Sequence, residues 1–185
     1  MESGLVSIIM PAYNCESFIK RAIDSVKNQT YGSWKLIIVN NGSTDSTETI
    51  CESYAASEPR IKYISQENSG SSAARNTGLK HVTGDFVAFL DSDDWYEPNF
   101  LEVMIGKLQS TEAEVVMCDF CIDGNSEFSY SDKLIDDKDI LSEFIGGGYM
   151  QPHNEQGLSS RSSFRHIFSR GKKHDGGWCM DSIRP

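Results

Sequence analysis

Short, largely apolar segments alternate with helical patterns over the first two thirds of the chain. The segments lie at residues 6–10, 35–39, 61–64, 86–90 and 115–118, and they are rich in Val, Ile and Phe. Strands that are apolar on both faces and joined by helices form a parallel sheet that is covered on both sides. We therefore predict an α/β fold with a mostly parallel central sheet and helices on both faces.

The helices are predicted from apolar residues that recur on one helical face. The first pattern comprises Phe18, Ile19, Ala22, Ile23 and Val26; the second contains Ile50, Cys51, Tyr54 and Ala55. A small-residue helix is predicted over about residues 72–82, and Pro98 is predicted to open a further helix. Pro11 should end the first strand because it cannot donate to a ladder, and Ser43 or Asp45 should cap the second helix.

Composition divides the chain near residue 150. The whole chain has 185 residues, a length that suits about one domain. Residues 1–150 hold the alternating pattern, whereas residues 151–185 show no clear period and are basic rather than acidic on balance. We predict one domain over residues 1–150 and a divergent or truncated tail over residues 151–185.

Charge and hydropathy exclude several classes of function. The formal net charge is −10, which repels phosphate backbones and argues against nucleic-acid binding. No apolar run approaches the ~18 residues of a membrane span, and no signal peptide is visible. We expect a cytoplasmic protein with at most peripheral contact at the inner face of the membrane. The five scattered cysteines, including Cys118 and Cys121, are expected to be thiols rather than a disulfide framework.

An acidic segment directly follows the fourth predicted strand. It reads Leu90-Asp91-Ser92-Asp93-Asp94-Trp95 and holds three carboxylates. Like charges this close repel one another unless a cation neutralises them, and hard carboxylate oxygens suit Mg²⁺ or Mn²⁺. The alternative is an acidic surface turn in which Asp93 or Asp94 caps the next helix.

Three more polar segments follow predicted strands, at residues 11–14, 40–45 and 68–78. Ligands of parallel α/β sheets bind beyond the carboxyl ends of the strands. Each segment also has a purely structural interpretation, as a turn or a helix cap. Arg75 could bind a diphosphate or pair with a nearby carboxylate, and the sequence leaves both open.

The stretches VSIIMPAYN, VNNGSTD, NSGSSAARNTG and FLDSDDW, in this order and spacing, resemble the family 2 glycosyltransferases. The resemblance covers about residues 4–120. It implies the Rossmann-like GT-A fold, a nucleotide-sugar donor that is usually UDP-linked, and a bound Mg²⁺ or Mn²⁺. It also implies a saccharide or lipid-linked saccharide acceptor and a role in bacterial surface polysaccharide synthesis.

The resemblance assigns roles to individual residues. Asp93, with Asp91, would ligate the metal. The donor-binding residues that it implies are Pro11, Ala12, Tyr13, Asn14, Asn41, Ser43, Asp45, Gly70, Arg75, Asp91 and Ser92. Among them, residues 11–14 would contact the nucleoside, the 40–45 segment would hold the uracil and ribose, and Arg75 would lie near the diphosphate.

Two features depart from the family pattern. Asn41 stands where the family usually has an aspartate, so base recognition is expected to be weakened or changed. The family's downstream general base, often in a Glu-Asp pair, has no clear counterpart in residues 151–185. Asp175, Asp181 and His174 are the weak candidates, and no catalytic base is assigned.

The resulting expectation is a metal-assisted glycosyltransferase in which an acceptor hydroxyl displaces the diphosphate with inversion at the sugar C1. A nucleotidyltransferase would need a basic, glycine-rich loop after the first strand. A phosphatase with a nucleophilic aspartate would need its acidic motif there. The remaining alternative is a catalytically impaired donor-binding or assembly module.

Overall fold

Strands and helices alternate along the chain as predicted. The computed structural model describes residues 4–111, 115–117, 167–170, 173–174 and 177–178. Its elements are β1 (Val6–Ala12), α1 (Ile19–Lys27), β2 (Trp34–Asn41), α2 (Thr47–Ser57), β3 (Ile61–Gln66), α3 (Ser71–Leu79), β4 (Phe86–Phe89), α4 (Phe100–Ser110), β5 (Val115–Met117), β6 (Ile167–Arg170), β7 (Lys173–His174) and β8 (Gly177–Trp178).

Six of these strands form one sheet in the order β3-β2-β1-β4-β6-β5. The first four strands in this order run parallel, with β1 between β2 and β4. The short strands β7 and β8 form a separate antiparallel pair. The predicted α/β class and the mostly parallel central sheet are confirmed.

The far side of the sheet differs from the prediction. We predicted β5 as a fifth member of the parallel run and no regular element in residues 151–185. Instead β6, which lies in that tail, runs antiparallel between β4 and β5 and pairs with both. The sequence of β6, IFSR, is neither apolar throughout nor alternating, so it gives no strand pattern. The boundary predicted at residue 150 lies outside the described residues and stays a prediction, and Cys118, Cys121 and Cys179 also lie outside them.

Apolar side chains cover both faces of the sheet. On one face, Ile8 and Met10 of β1 belong to a buried cluster with Ile23 of α1 and Leu101 of α4. On the opposite face, Ile9 of β1 belongs to a second cluster, which contains Ile37, Val87 and Ala74 of α3. Successive strand residues point to opposite faces, so continuous apolar runs are what a sheet with helices on both sides requires.

Strand β1 continues through Pro11 to Ala12, two residues beyond the predicted end. Leu90 N–H donates to the Ile9 carbonyl, so the backbone groups of Ile9 face β4. Pro11, two residues later, faces the same side, but the pairing with β4 stops at Ile9. The missing N–H of Pro11 therefore costs no ladder bond, which is why this proline is tolerated within the strand.

Helix α4 begins at Phe100 rather than at Pro98. One of its first N–H groups, that of Leu101, donates to the side-chain oxygen of Gln29 at 3.0 Å. The amide nitrogen of Gln29 donates in turn to the carbonyl of Glu97 at 2.7 Å. This buried glutamine joins the end of α1 to the chain that enters α4.

No helix among the described residues is long and apolar enough to cross a bilayer.

Helix α3 lies directly on the sheet at Gly78. A Cβ atom placed there would come within 2.5 Å of Cγ2 of Ile9, a fully buried residue of β1. Any side chain at residue 78 therefore collides with a branched side chain that has no space to move.

We predict opposite effects for the same substitution in two helices. Gly78→Ala should lower the free energy of unfolding by about 1–3 kcal/mol through overpacking. Gly106→Ala, in α4, should raise it by about 0.5–1 kcal/mol, because a Cβ there meets nothing within 4 Å and alanine favours the helix. Urea denaturation of both variants measures the two changes.

An Ile9→Ala background provides the control. Removing the Ile9 methyl groups should reduce the cost of Gly78→Ala, so the two substitutions should not be additive. Equal effects of Gly78→Ala in both backgrounds would contradict the close approach of α3 to β1.

Candidate functional site

The carboxyl ends of β2, β1 and β4 lie side by side at one edge of the sheet, because these strands are parallel neighbours. The polar segments singled out in the sequence leave the sheet at this edge. The segment after β3 begins beside them, since Gln66 pairs with Asn41 at the end of β2. The topology therefore brings together the loops that the resemblance assigned to one site.

The loops after β1 and β2 are joined by reciprocal hydrogen bonds. Asn14 N–H donates to Oγ of Ser43 at 3.1 Å, and Oδ1 of Asn14 accepts from Thr44 N–H at 2.8 Å. Glu16 N–H donates to Oδ2 of Asp45 at 3.1 Å. Asn14, Ser43 and Asp45 thus hold the two loops to each other.

Asp45 also provides an acceptor at the start of α2. Its Oδ1 accepts from Thr47 N–H at 2.9 Å. Of the two predicted caps, Asp45 is therefore the one that satisfies a first-turn N–H, while the hydroxyl of Ser43 accepts from the other loop instead. Slight burial opposes ionisation of Asp45, but hydrogen bonds from Thr47 and the Glu16 backbone outweigh it and lower the pKa of its carboxyl.

The end of β1 has a buried and an exposed part. Pro11 and Ala12 are buried within the strand, so the surface at this point comes from the two residues that follow. Asn14 adopts a left-handed conformation, with φ at 45°, which asparagine tolerates better than most residues. The Tyr13 side chain is left 49% exposed and is an aromatic surface at this edge.

Asn41, at the end of β2, is 4% exposed, and its carboxamide makes three hydrogen bonds. Its Oδ1 accepts from Nε2 of Gln66 at 2.8 Å and from Ser69 N–H at 3.0 Å, and its Nδ2 donates to Oδ1 of Asn68 at 3.1 Å. The segment that leads to α3 is thereby tied to the end of β2. Gly70, exposed with φ at 85°, closes this segment.

Gly42 is required next to Asn41. Its φ is 73°, a conformation that glycine adopts without strain. A Cβ there would also come within 2.9 Å of the backbone nitrogen of Asn68. The glycine therefore allows the segment after β3 to lie directly on the end of β2.

Asn40 is a buried member of the site that sequence reasoning did not single out. It is 1% exposed. Its Oδ1 accepts from Ser43 N–H at 3.1 Å, and its Nδ2 donates to the hydroxyl of Tyr63 at 3.0 Å. That hydroxyl donates to Glu48 at 2.9 Å. The alternation of side chains along β2 was the available signal, because it places Asn40 and Asn41 on opposite faces.

Arg75, one turn into α3, forms an ion pair with Asp91 after β4. The distance from Nη2 to Oδ1 is 2.6 Å, and each side chain is 21% exposed. Of the two interpretations left open by the sequence, the structure shows the pairing with a nearby carboxylate. The pair links α3 to the acidic segment after β4.

The acidic segment forms a turn in which Asp94 N–H donates to the Asp91 carbonyl at 3.1 Å. Asp93 is exposed, and Asp94 is partly buried. Burial, and then the charges of Asp93 and Asp91, raise the pKa of Asp94 to about 6. The alternative role as a cap is wrong, because α4 begins at Phe100 with Asn99 at its N-cap.

Contacts with α1 hold this turn in place. Tyr96 N–H donates to Oγ of Ser25 at 3.1 Å, and the Tyr96 hydroxyl donates to the Phe89 carbonyl at 2.8 Å. The guanidinium carbon of Arg21 lies 3.2 Å from the centroid of the Trp95 ring, a cation–π contact. The carboxyl end of the acidic turn, at Trp95 and Tyr96, is therefore attached to helix α1.

Cys15 joins the loop after β1 to the start of α2 beneath the surface. Its N–H donates to Oγ1 of Thr47 at 2.9 Å, and the Thr47 hydroxyl donates in turn to Sγ of Cys15 at 3.8 Å. Burial raises the pKa of this thiol, and the side chains of Ser92 and Thr47 offset only part of that increase. Ser92, in the acidic segment, is partly buried.

Metal ligands and the catalytic base are only partly visible. Within the described ranges, no group of three or more His, Cys, Asp or Glu side chains is arranged to hold a metal ion. Asp175 and Asp181 lie outside the described residues, and His174 is described only as part of β7. No catalytic base is therefore assigned from the structure.

Two curated relatives are similar to most of this chain. Glycosyltransferase GlyA of Streptococcus pneumoniae is 37% identical over 145 residues, which is 74% of this chain and 21% of that protein. The Escherichia coli protein WfgD, a UDP-Glc:alpha-D-GlcNAc-diphosphoundecaprenol beta-1,3-glucosyltransferase, is 37% identical over 147 residues, which is 78% of this chain and 52% of that protein. The chain thus spans about a fifth to a half of the length of these relatives.

Solved structures show the same fold. S. aureus TarS 1-349 in complex with UDP matches with a TM-score of 0.61 and 27% identity, over 68% of this chain and 38% of that chain. The mannosyltransferase PcManGT of Pyrobaculum calidifontis, in complex with GDP-Man and Mn²⁺, matches with a TM-score of 0.60 and 26% identity, over 64% of this chain and 36% of that chain. These likenesses confirm the GT-A fold that the resemblance implied.

The sequence profile described as "Glycosyl transferase family 2" matches residues 7–170, which include the loops after β1, β2, β3 and β4 as well as β6. The chain therefore belongs to glycosyl transferase family 2.

Proposed function

We propose that this chain binds a UDP-linked sugar and transfers the sugar, with inversion, to a hydroxyl of a saccharide or lipid-linked saccharide in surface polysaccharide synthesis. The observation that carries the proposal is the ion pair of Arg75 with Asp91 beside the exposed Asp93. A guanidinium and crowded carboxylates at one strand edge are the groups that a diphosphate and its cation need.

The comparisons support the classes of donor and acceptor. The TarS structure holds UDP, and the PcManGT structure holds GDP-Man with Mn²⁺. The name of WfgD gives UDP-Glc as its donor and a diphosphoundecaprenol-linked sugar as its acceptor. The relatives are named as glycosyltransferases, so the alternative of a catalytically impaired module is not favoured.

The residues of the acidic turn fit a divalent cation. The raised pKa of Asp94 arises from burial and from the neighbouring charges of Asp93 and Asp91, and a cation would relieve that repulsion. Mg²⁺ commonly binds through one or two carboxylates together with waters and substrate phosphates, so three protein ligands are not needed. Asp93 would hold the ion, with Asp91 beside it. Such an ion neutralises charge on a departing diphosphate.

The chain's own side chains orient the donor. The exposed ring of Tyr13 offers an apolar surface for the nucleoside, and the turn at Asn14 fixes where that ring lies. Arg75 can bind phosphate oxygens with two parallel hydrogen bonds, and Asp91 holds the guanidinium at the edge of the site. With the donor fixed in this way, a hydroxyl that attacks C1 from the side opposite the diphosphate forms the new glycosidic bond with inversion. The bond from C1 to the diphosphate breaks, and UDP and the hydroxyl proton are released.

The metal assignment predicts a change in cation dependence. Mn²⁺ should strengthen the binding of UDP to the unaltered chain by about tenfold or more, which is about 1.4 kcal/mol. Asp93→Asn should remove this strengthening and leave the melting temperature unchanged, because Asp93 is exposed. Calorimetric titration of UDP with and without Mn²⁺ measures the effect.

Asp24→Asn is the matched control. It makes the same change of charge on α1, where Oδ1 of Asp24 accepts from the Tyr54 hydroxyl and an amide oxygen can replace it. Asp24→Asn should keep the full Mn²⁺ effect. An Asp93→Asn variant that still shows it would refute the metal assignment.

The role of Arg75 predicts that its substitution weakens the binding of a nucleotide but not the binding of a nucleoside. Arg75→Lys keeps the charge but loses the forked geometry, so UDP should bind about tenfold more weakly, the equivalent of one charge-assisted hydrogen bond. Uridine, which has no phosphate, should bind as before. NMR titrations with both compounds test this, and equal weakening of the two would show that Arg75 serves only the fold.

A further inference from the structure

Asn41 stands where the resemblance places a carboxylate that reads the base. We propose that Asn41 is a positioning residue, which fastens the 66–70 segment over the end of β2. Its oxygen does not serve as the acceptor for the N3–H of uracil. The inference rests on the proposed function only in that a nucleotide binds at this edge of the sheet.

The orientation of the Asn41 carboxamide is fixed by backbone groups. The N–H of Ser69 can only donate, so the Asn41 atom that faces it at 3.0 Å is the oxygen. The Nδ2 group then faces Asn68. The Asn68 atom there is in turn an oxygen, because it also accepts from Gly70 N–H at 3.3 Å. The assignment of both amides therefore follows from donors that cannot reverse.

The oxygen of Asn41 has its capacity occupied. An amide oxygen has two lone pairs, and here they accept from Gln66 at 2.8 Å and from Ser69 at 3.0 Å. The side chain is also 4% exposed. A carboxylate, which has about four acceptor sites, could hold the segment and accept from a base at the same time. Asparagine cannot do both.

Asn41 and Asn68 are a matched pair. A carboxylate at residue 41 would place an oxygen against the Asn68 oxygen that now accepts from Nδ2 at 3.1 Å. Relief by rotation of the Asn68 amide would turn its NH₂ group toward the N–H of Gly70. This segment therefore requires an amide at residue 41, and Asn41 is not simply a weaker substitute for an aspartate.

The fastened segment leads directly to the group that would bind phosphate. Helix α3 begins at Ser71, immediately after the segment, and carries Arg75. The guanidinium of Arg75 pairs with Asp91. Asn41 thus acts on a nucleotide through the placement of α3, and this action is the same for every base.

The first test compares UDP with CDP, because uracil has a hydrogen on N3 and cytosine has a lone pair there. Asn41→Ala should weaken the binding of both nucleotides by the same factor, about tenfold for the loss of buried hydrogen bonds. The ratio of the dissociation constants of UDP and CDP should therefore stay within about twofold of the ratio for the unaltered chain. A loss confined to UDP would overturn the proposal.

A double-mutant cycle separates positioning from a general loss of stability. If Asn41 acts through Arg75, Asn41→Ala should add little to the weakening of UDP already caused by Arg75→Lys. Full additivity would overturn the route through Arg75. Asn68→Ala, at an exposed residue, removes the bonds that the Asn68 oxygen accepts from Nδ2 of Asn41 and from Gly70 N–H. It leaves both bonds of the Asn41 oxygen in place, so this second variant should keep the fold, with a smaller loss and the same UDP-to-CDP ratio.

The second test needs no nucleotide. Amide hydrogen exchange at Ser69 should become about tenfold faster in Asn41→Ala, since a hydrogen bond of about 1.4 kcal/mol protects that N–H. Asn40→Ala is the matched control, because the Asn40 carboxamide holds Ser43 N–H instead and its loss should speed exchange at Ser43 alone. Unchanged exchange at Ser69 in Asn41→Ala would overturn the proposal. Failure of the unaltered chain to bind any nucleotide would refute the proposed function, and the exchange result would then decide this inference by itself.

Discussion

The parallel pairing of β2, β1 and β4 is the constraint from which the site follows. Parallel neighbours end at the same edge of the sheet, so their loops meet whatever the sequence between them. The strands are held by side chains that are apolar on both faces, and this burial makes the edge rigid. The polar groups of the site can therefore be confined to the short segments that follow these strands.

Most of the short polar side chains at this edge bind one another. Asn14, Ser43 and Asp45 connect the loops after β1 and β2. Asn40 holds the loop after β2 at Ser43, and Asn41, on the opposite face of the same strand, anchors the segment after β3. Tyr13 and Asp93 are exposed at this edge. Many residues of the motifs that suggest a ligand site in the sequence therefore serve to hold the loops of that site together.

Periodic features could be predicted from the sequence, whereas single contacts between distant residues could not. Strands β1 to β4 and the helices between them have clear apolar patterns, and the edge where the site lies follows from their order. The partner of Arg75 could not be chosen, because Asp91 reaches it through folding rather than through spacing. The end of β1 was predicted too early because the effect of Pro11 depends on which neighbouring strand its nitrogen faces. Strand β6 was missed because its four residues carry no period.

The position of β6 has a consequence for the order in which the protein folds. Strands β3, β2, β1 and β4 come from one continuous stretch of chain, but β4 completes its second edge with a strand in which Arg170 pairs with Phe86. Closing so long a loop costs entropy before the contacts form. During synthesis, β4 emerges with one row of N–H and C=O groups unpaired, and such an edge is a template for association with other chains. This side of β4 therefore stays open to such association until residues 167–170 have been synthesised and pair with it.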